Sequence, residues 1–121
     1  MIKRFYRSFN NAFKGIKEAF SEQVFRVLFV IAVVVGVSLL VFPFDPLERA
    51  VLFLVIALVL SLELINSQIE RVLDILKPDY SEEVRKMKDI SAGAVMVASI
   101  GSVIIGIIII LPYLMELIEK F

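Results

Sequence analysis

From Ile90 to Met115 the chain runs twenty-six residues without a charge. A bilayer core about 30 Å thick is crossed by roughly 20 helical residues, so this run is long enough to span it. Two further segments share the character. Val24 to Phe42 carries only Arg26, near its start, and stops at "PFDP", a turn signal. The next begins after Pro46 and contains "AVLFLVIALVLSL", thirteen residues with no charge. Apolar residues make up 60% of the chain, against about 45–50% in an ordinary soluble domain. Three buried helices of a water-soluble bundle would need polar faces, and "VLFVIAVVVGVSLLVF" and "IIGIIIILP" have none. The sequence therefore predicts an all-α membrane protein with transmembrane spans at 24–42, 47–66 and 90–115. It reads as a single domain over 1–121, with no internal repeat, low-complexity tract or linker. The first apolar run begins too far from Met1 for a signal peptide.

Residues 1–23 have a different pattern. Phe5, Phe9, Phe13, Ile16 and Phe20 recur every three or four positions, while Lys3, Arg4, Arg7, Asn10, Asn11, Lys14 and Lys17 occupy the other sides. This predicts an amphipathic helix lying in the headgroup region and continuing directly into the first span. A helix packed on a partner protein is the competing reading. The phenylalanines then serve as lipid anchors, and Arg26 either snorkels to headgroup phosphates or acts near Glu22.

Orientation follows from the basic residues. Six lie in residues 1–26 and five in residues 71–88, whereas the first turn has only Arg49 and the tail only Lys120. The positive-inside rule puts the N terminus and the second connection in the cytoplasm of a cell-membrane protein.

The chain has no cysteine and no histidine, which excludes disulfides, thiolate zinc sites, a catalytic cysteine and a Ser-His-Asp triad. Chemistry must come from carboxylates, amides, Lys, Arg and hydroxyls, or from a hard metal ion bound by oxygen. Such groups gather in "ELINSQIERVLD", where Glu63, Asn66, Glu70 and Asp74 stand at i, i+3, i+7 and i+11. All four fall within roughly 80° on one helical face. Counting twenty residues from Leu47 places Glu63 at the edge of the hydrocarbon, where a carboxylate is costly unless paired, protonated or functional. The stripe is a solvated helix exit, a hydrogen-bonded seam between helices, or a site. Downstream, "KPDYSEEVRKMKDISAGAVMVASI" re-enters the membrane through Lys88 and Asp89, then Ser91, Ala92, Gly93 and Ala94, which allow close helix approach. A Lys-Asp pair opposite the stripe offers a phosphate partner, an acceptor and metal ligands together. Glu18, Glu82, Glu83, Lys86, Glu116 and Glu119 read as solvated charges.

"ELINSQIERVLD", "KPDY" and "KMKDISAGAV" together resemble the small integral-membrane lipid kinases of prokaryotes, the diacylglycerol kinase and undecaprenol kinase family. The family pattern E-x-x-N-[ST]-x-I-E-x-x-x-D, followed by A-K-D and small residues, is matched at Glu63, Asn66, Ser67, Ile69, Glu70, Asp74, Lys88 and Asp89. "AFKGIKEAFSEQVFR" resembles the family's upstream segment at Lys14, Gly15, Glu22, Phe25 and Arg26. Gln68 and Met87 depart from it, each standing where alanine is usual, and the Gly15-to-Glu22 interval is one residue short.

The resemblance implies an ATP- and magnesium-dependent lipid kinase assembled as a homotrimer with shared active sites. Glu63 would be the general base on the lipid hydroxyl, with Asn66 positioning nearby groups. Glu22 and Glu70 would hold Mg2+ with the ATP phosphates. Lys88 would contact phosphate and Asp89 the nucleotide, while Asp79, Tyr80 and Arg4 would help cradle ATP and Ala92 would border the lipid. The chemistry is consistent with this. Magnesium takes a few carboxylate oxygens plus substrate phosphates, and phosphoryl transfer depends on neutralisation and in-line positioning. Glu63 and Glu70 lie two turns apart, about 10 Å along the axis, and so serve opposite ends of the reacting group. There is no G-x-x-x-x-G-K-[ST] phosphate loop. The wording of "KMKDISAGAV" and the "IIIILP" ending resemble undecaprenol kinases more than diacylglycerol kinases, so undecaprenol is the expected substrate and diacylglycerol the alternative. A non-catalytic oligomeric channel or assembly subunit, its carboxylates lining a pore, is the reading of a different class.

Overall fold

The computed structural model describes all of residues 1–121 as four helices. They are α1 (Ile2–Ala19), α2 (Gln23–Val41), α3 (Pro46–Leu76) and α4 (Glu82–Glu119). The last three are long and apolar enough to cross a membrane. Their outward faces remain apolar and uncovered by the chain itself: Val30, Val34, Leu54, Val97, Val103 and Ile108 are all more than half exposed. These are the surfaces of a membrane protein, with lipid or neighbouring chains as their solvent.

α3 is the central element, packing along α4 over the greater length and against α2 over the lesser. The longest helices exceed their spans. At 1.5 Å per residue, 31 residues of α3 reach about 46 Å, against a hydrocarbon core of about 30 Å. The excess is the stretch after Asn66. It pairs with the charged first turns of α4 as a helical hairpin that projects from one end of the bundle.

The two spans at the other end are joined by a tightly bonded corner. Asp45 caps α3 by accepting from the Glu48 backbone at 2.9 Å, while Glu48 accepts from the Asp45 backbone at 3.0 Å, with Pro46 in the first turn. This reciprocal box satisfies two donors that a helix start otherwise leaves open. Arg49 donates to the carbonyls of Leu39, Phe42 and Phe44, covering the bare carbonyl end of α2. Phe44 is buried edge-on against Tyr113 of α4, ring centres 4.7 Å apart.

The direct continuation of the N-terminal helix into the first span does not occur. Phe20, Ser21 and Glu22 each donate to the carbonyl three residues back, tightening the end of α1. Glu22 then turns extended, with φ −84° and ψ 125°, as the cap of α2. Phe20 spans the break, meeting Phe25 and Phe29 edge-on at 5.2 and 4.9 Å. Of α1 only Ala19 is buried, and Phe5, Phe9 and Phe13 form an exposed row that touches nothing but its own neighbours in sequence, ring centres 5.6 and 6.1 Å apart. The glycines of α4 are not points of close approach within the chain. A Cβ built at Gly93, Gly101 or Gly106 would touch nothing within 4 Å, so no helix of this chain uses those positions for close approach.

Candidate active site

Eight residues of the chain are buried, and three of them are polar: Glu63, Asn66 and Ser67. All three lie on one turn of α3, where it approaches the end of its apolar run. Below them, Val59 shares the face of Glu63, and with Leu60 it lines an apolar cavity of about 240 Å³ between α2, α3 and α4. The buried carboxylate thus follows the cavity-lining residues by about one turn of α3.

The turn is polar for reasons that local bonding does not exhaust. Ser67 satisfies itself by donating to the Leu64 carbonyl at 2.9 Å and accepting from Gln68 at 3.3 Å. The Asn66 amide neighbours the Glu63 carboxylate, and the charges of Glu70 and Glu22 both bear on it. The Asn66 Oδ1 accepts nothing, and it is the one buried side-chain polar atom in the chain left without a partner. An orphaned acceptor costs about 1–3 kcal/mol, so a donor arriving beside Glu63 recovers a cost already present in the fold.

Around this turn the charged residues are held by partners on other elements. The Glu22 carboxylate, at the α1–α2 break, accepts from Arg71 on α3 at 2.7 Å. Lys88 on α4 is paired with Asp74 on α3, closing the projecting hairpin. Asp89 accepts from Arg85 at 2.6 Å, and Arg85 also pairs with Glu82 at 2.5 Å. The Lys88–Asp89 couple is therefore divided between two partners rather than presented together. Tyr80 donates to Glu82 at 2.7 Å, and that bond pushes its phenol above its ordinary range.

Glu63, Asn66, Glu70 and Glu22 thus form one neighbourhood, with Lys88 and Asp89 further out on the hairpin. Asp79 and Tyr80 occupy the exposed α3–α4 connection, Ala92 is exposed on α4, and Arg4 is exposed on α1 with its guanidinium unpaired. The chain alone does not bring Arg4 or Ala92 to the buried turn. Arg71 and Arg85 were missed by sequence reasoning. Arg85 carried a signal, standing three and four residues from acids on one helix. Arg71 carried none, because its acid is 49 positions away.

No three acidic side chains converge closely enough to hold a metal by themselves. Glu22 and Glu70 are two carboxylates near the membrane edge, Glu22 engaged through a single oxygen. That suits an ion that takes one or two carboxylates and brings its remaining ligands with a nucleotide's phosphates.

A chain of long apolar helices with a buried carboxylate and amide on one turn, further carboxylates near them and paired cations on the adjoining hairpin has the parts of a lipid-modifying phosphotransferase. The family model for prokaryotic diacylglycerol kinase matches residues 10–110. Undecaprenol kinase of Bacillus subtilis (strain 168) is 35% identical over 114 residues, covering 93% of both chains. Diacylglycerol kinase of Synechocystis sp. is 39% identical over 114 residues, 91% of this chain and 64% of that one. Diacylglycerol kinase of Escherichia coli (strain K12) is 33% identical over 105 residues, 84% of each. The chain belongs to the prokaryotic diacylglycerol kinase family and is a lipid kinase.

Proposed function

We propose that the chain transfers the γ-phosphoryl group of ATP to the hydroxyl of undecaprenol, giving undecaprenyl phosphate and ADP. The observation that carries the reading is the buried Glu63–Asn66 turn with its unpartnered Asn66 Oδ1, which follows on α3 the Val59 and Leu60 that line an apolar cavity. A lipid alcohol meets both halves: its hydrocarbon enters the cavity and its hydroxyl lies beside the carboxylate. Glu63 accepts the hydrogen bond of the hydroxyl and takes its proton as the oxygen attacks phosphorus, Asn66 beside it positions the reacting groups, and ADP leaves with the cleaved β–γ bridging oxygen. Positioning and proton removal are what this chemistry asks of a protein.

Glu22 and Glu70 would hold Mg2+, which supplies charge neutralisation on the phosphates when bound. Lys88 and Asp89, with Asp79 and Tyr80 on the connection and Arg4 on α1, take the nucleotide, and Ala92 borders the lipid. Bringing Arg4 and Ala92 to the site is work for a homotrimer with shared active sites, and the uncovered apolar faces leave room for one. α1 lies in the headgroup layer, phenylalanines inward and Lys and Arg at the phosphates. The N terminus, the hairpin and the site face the cytoplasm, where ATP is. Kinase membership takes away the support for a pore or assembly subunit.

Undecaprenol is favoured by the Bacillus subtilis relative, which matches over 93% of both chains. Diacylglycerol is the second reading, favoured by the higher identity of the Synechocystis relative. The test is labelled ATP with purified protein in mixed micelles containing each alcohol in turn. Preferential labelling of undecaprenol is expected, and preferential labelling of diacylglycerol reverses the assignment.

A further inference from the structure

Arg71 is the residue next to Glu70, yet its guanidinium turns to Glu22, 49 positions back, and donates one hydrogen bond to Oε1. This is the only polar side-chain contact between the α1–α2 break and α3. The contact is a single bond through Nη2, not the two-pronged fork that makes guanidinium–carboxylate pairs strong. It is also open to solvent, with side-chain exposures of 60% for Arg71 and 32% for Glu22. A pair of this kind is easily exchanged.

A guanidinium and a metal ion seek the same in-plane lone pairs of a carboxylate, and their like charges repel. We infer that Arg71 is a positioning residue acting through Glu22: it is the carboxylate's counter-ion and is displaced when the metal–nucleotide complex binds. The inference rests on the assignment of Glu22 and Glu70 to the metal. Arg71 occupies Oε1 of Glu22 without closing the carboxylate off, since Oε2 stays free of side-chain donors. A strap that merely held the break together would act in the opposite direction, because losing it would loosen Glu22 and weaken metal binding.

The experiment is a Mn2+ titration followed by electron paramagnetic resonance. It uses full-length protein in lipid nanodiscs, alone and with a non-hydrolysable ATP analogue. Arg71→Gln is expected to bind Mn2+ about two- to fivefold more tightly than wild type, the scale of an exposed ion pair. Arg71→Lys keeps the charge and is expected to stay near wild type. Combining Arg71→Gln with Glu22→Gln should erase the gain. Unchanged or weaker binding in Arg71→Gln, with Glu70→Gln still weakening Mn2+ binding, overturns the counter-ion role and leaves the metal assignment standing. Wild-type binding unaffected by both Glu22→Gln and Glu70→Gln removes the metal assignment, and the role of Arg71 with it.

Discussion

Tyr113 of α4 donates its hydroxyl to Oε1 of Glu48 on α3 at 2.6 Å, joining positions 65 apart at the end of the bundle opposite the buried carboxylate. The same Glu48 oxygen accepts from the backbone of Asp45, so one carboxylate caps α3 and holds α4 to it. Tyr113→Phe keeps the ring against Phe44 and removes only the bond. Losing a hydrogen bond to a charged acceptor is expected to lower stability. Equilibrium unfolding in mixed micelles measures it. Turnover per folded molecule should be unchanged, and a loss of turnover without a loss of stability would contradict a purely structural role.

Topology gives a second test. Eleven of the thirteen basic residues lie in residues 1–26 and 71–88, from which the positive-inside rule predicts a cytoplasmic location for both segments. Single cysteines at Ser8, Ser81 and Phe121 would be probed with an impermeant thiol reagent on intact cells. Labelling is expected at Phe121 alone. Labelling at Ser81 with protection at Phe121 would invert the protein and separate the site from ATP.

The helices were legible in the sequence, but their ends were not. Hydropathy marks where lipid stops, and a helix continues for as long as its residues permit. "SQIERVLDIL" carries α3 ten residues past Asn66 before Pro78 intervenes, and "EEVRKMKD" starts α4 eight residues before Ile90. The break at Glu22 had no proline or glycine to announce it, while Gly15 lies unbroken inside α1. Spacing against the length of the apolar run put Glu63 at the hydrocarbon edge but left open whether the stripe was solvated, a seam or a site. Of its four residues, Glu63 and Asn66 are buried while Glu70 and Asp74 are exposed. The partners of Glu22 and Lys88 could not, because they depend on how helices rotate against one another. Arg49, counted only as the lone basic residue of an outer turn, proved to cap α2.

Metal dependence follows from the two outer carboxylates. Glu22→Gln and Glu70→Gln each keep side-chain size and remove an anionic oxygen. Each is expected to raise the magnesium concentration needed for half-maximal activity at least about tenfold, a scale reached even when an outer partner of a metal site is lost. Thermal unfolding should show both variants folded. Unchanged magnesium dependence in both would remove these residues from the metal.

The central claim is that Glu63 takes the proton of the lipid hydroxyl. Its most direct measurement is lipid-dependent phosphorylation by Glu63→Gln, with nucleotide affinity determined on the same preparation. The substitution keeps the shape and hydrogen-bonding capacity of a buried side chain and removes chiefly the ability to accept a proton. General-base catalysis supplies about 10²–10⁴-fold in rate, so a loss on that scale with nearly wild-type nucleotide binding is expected. A carboxylate that merely sits near the hydrocarbon edge behaves otherwise, because neutralising it relieves a cost and leaves turnover intact. A Glu63→Gln variant that is stabilised and retains most of its turnover would contradict the account.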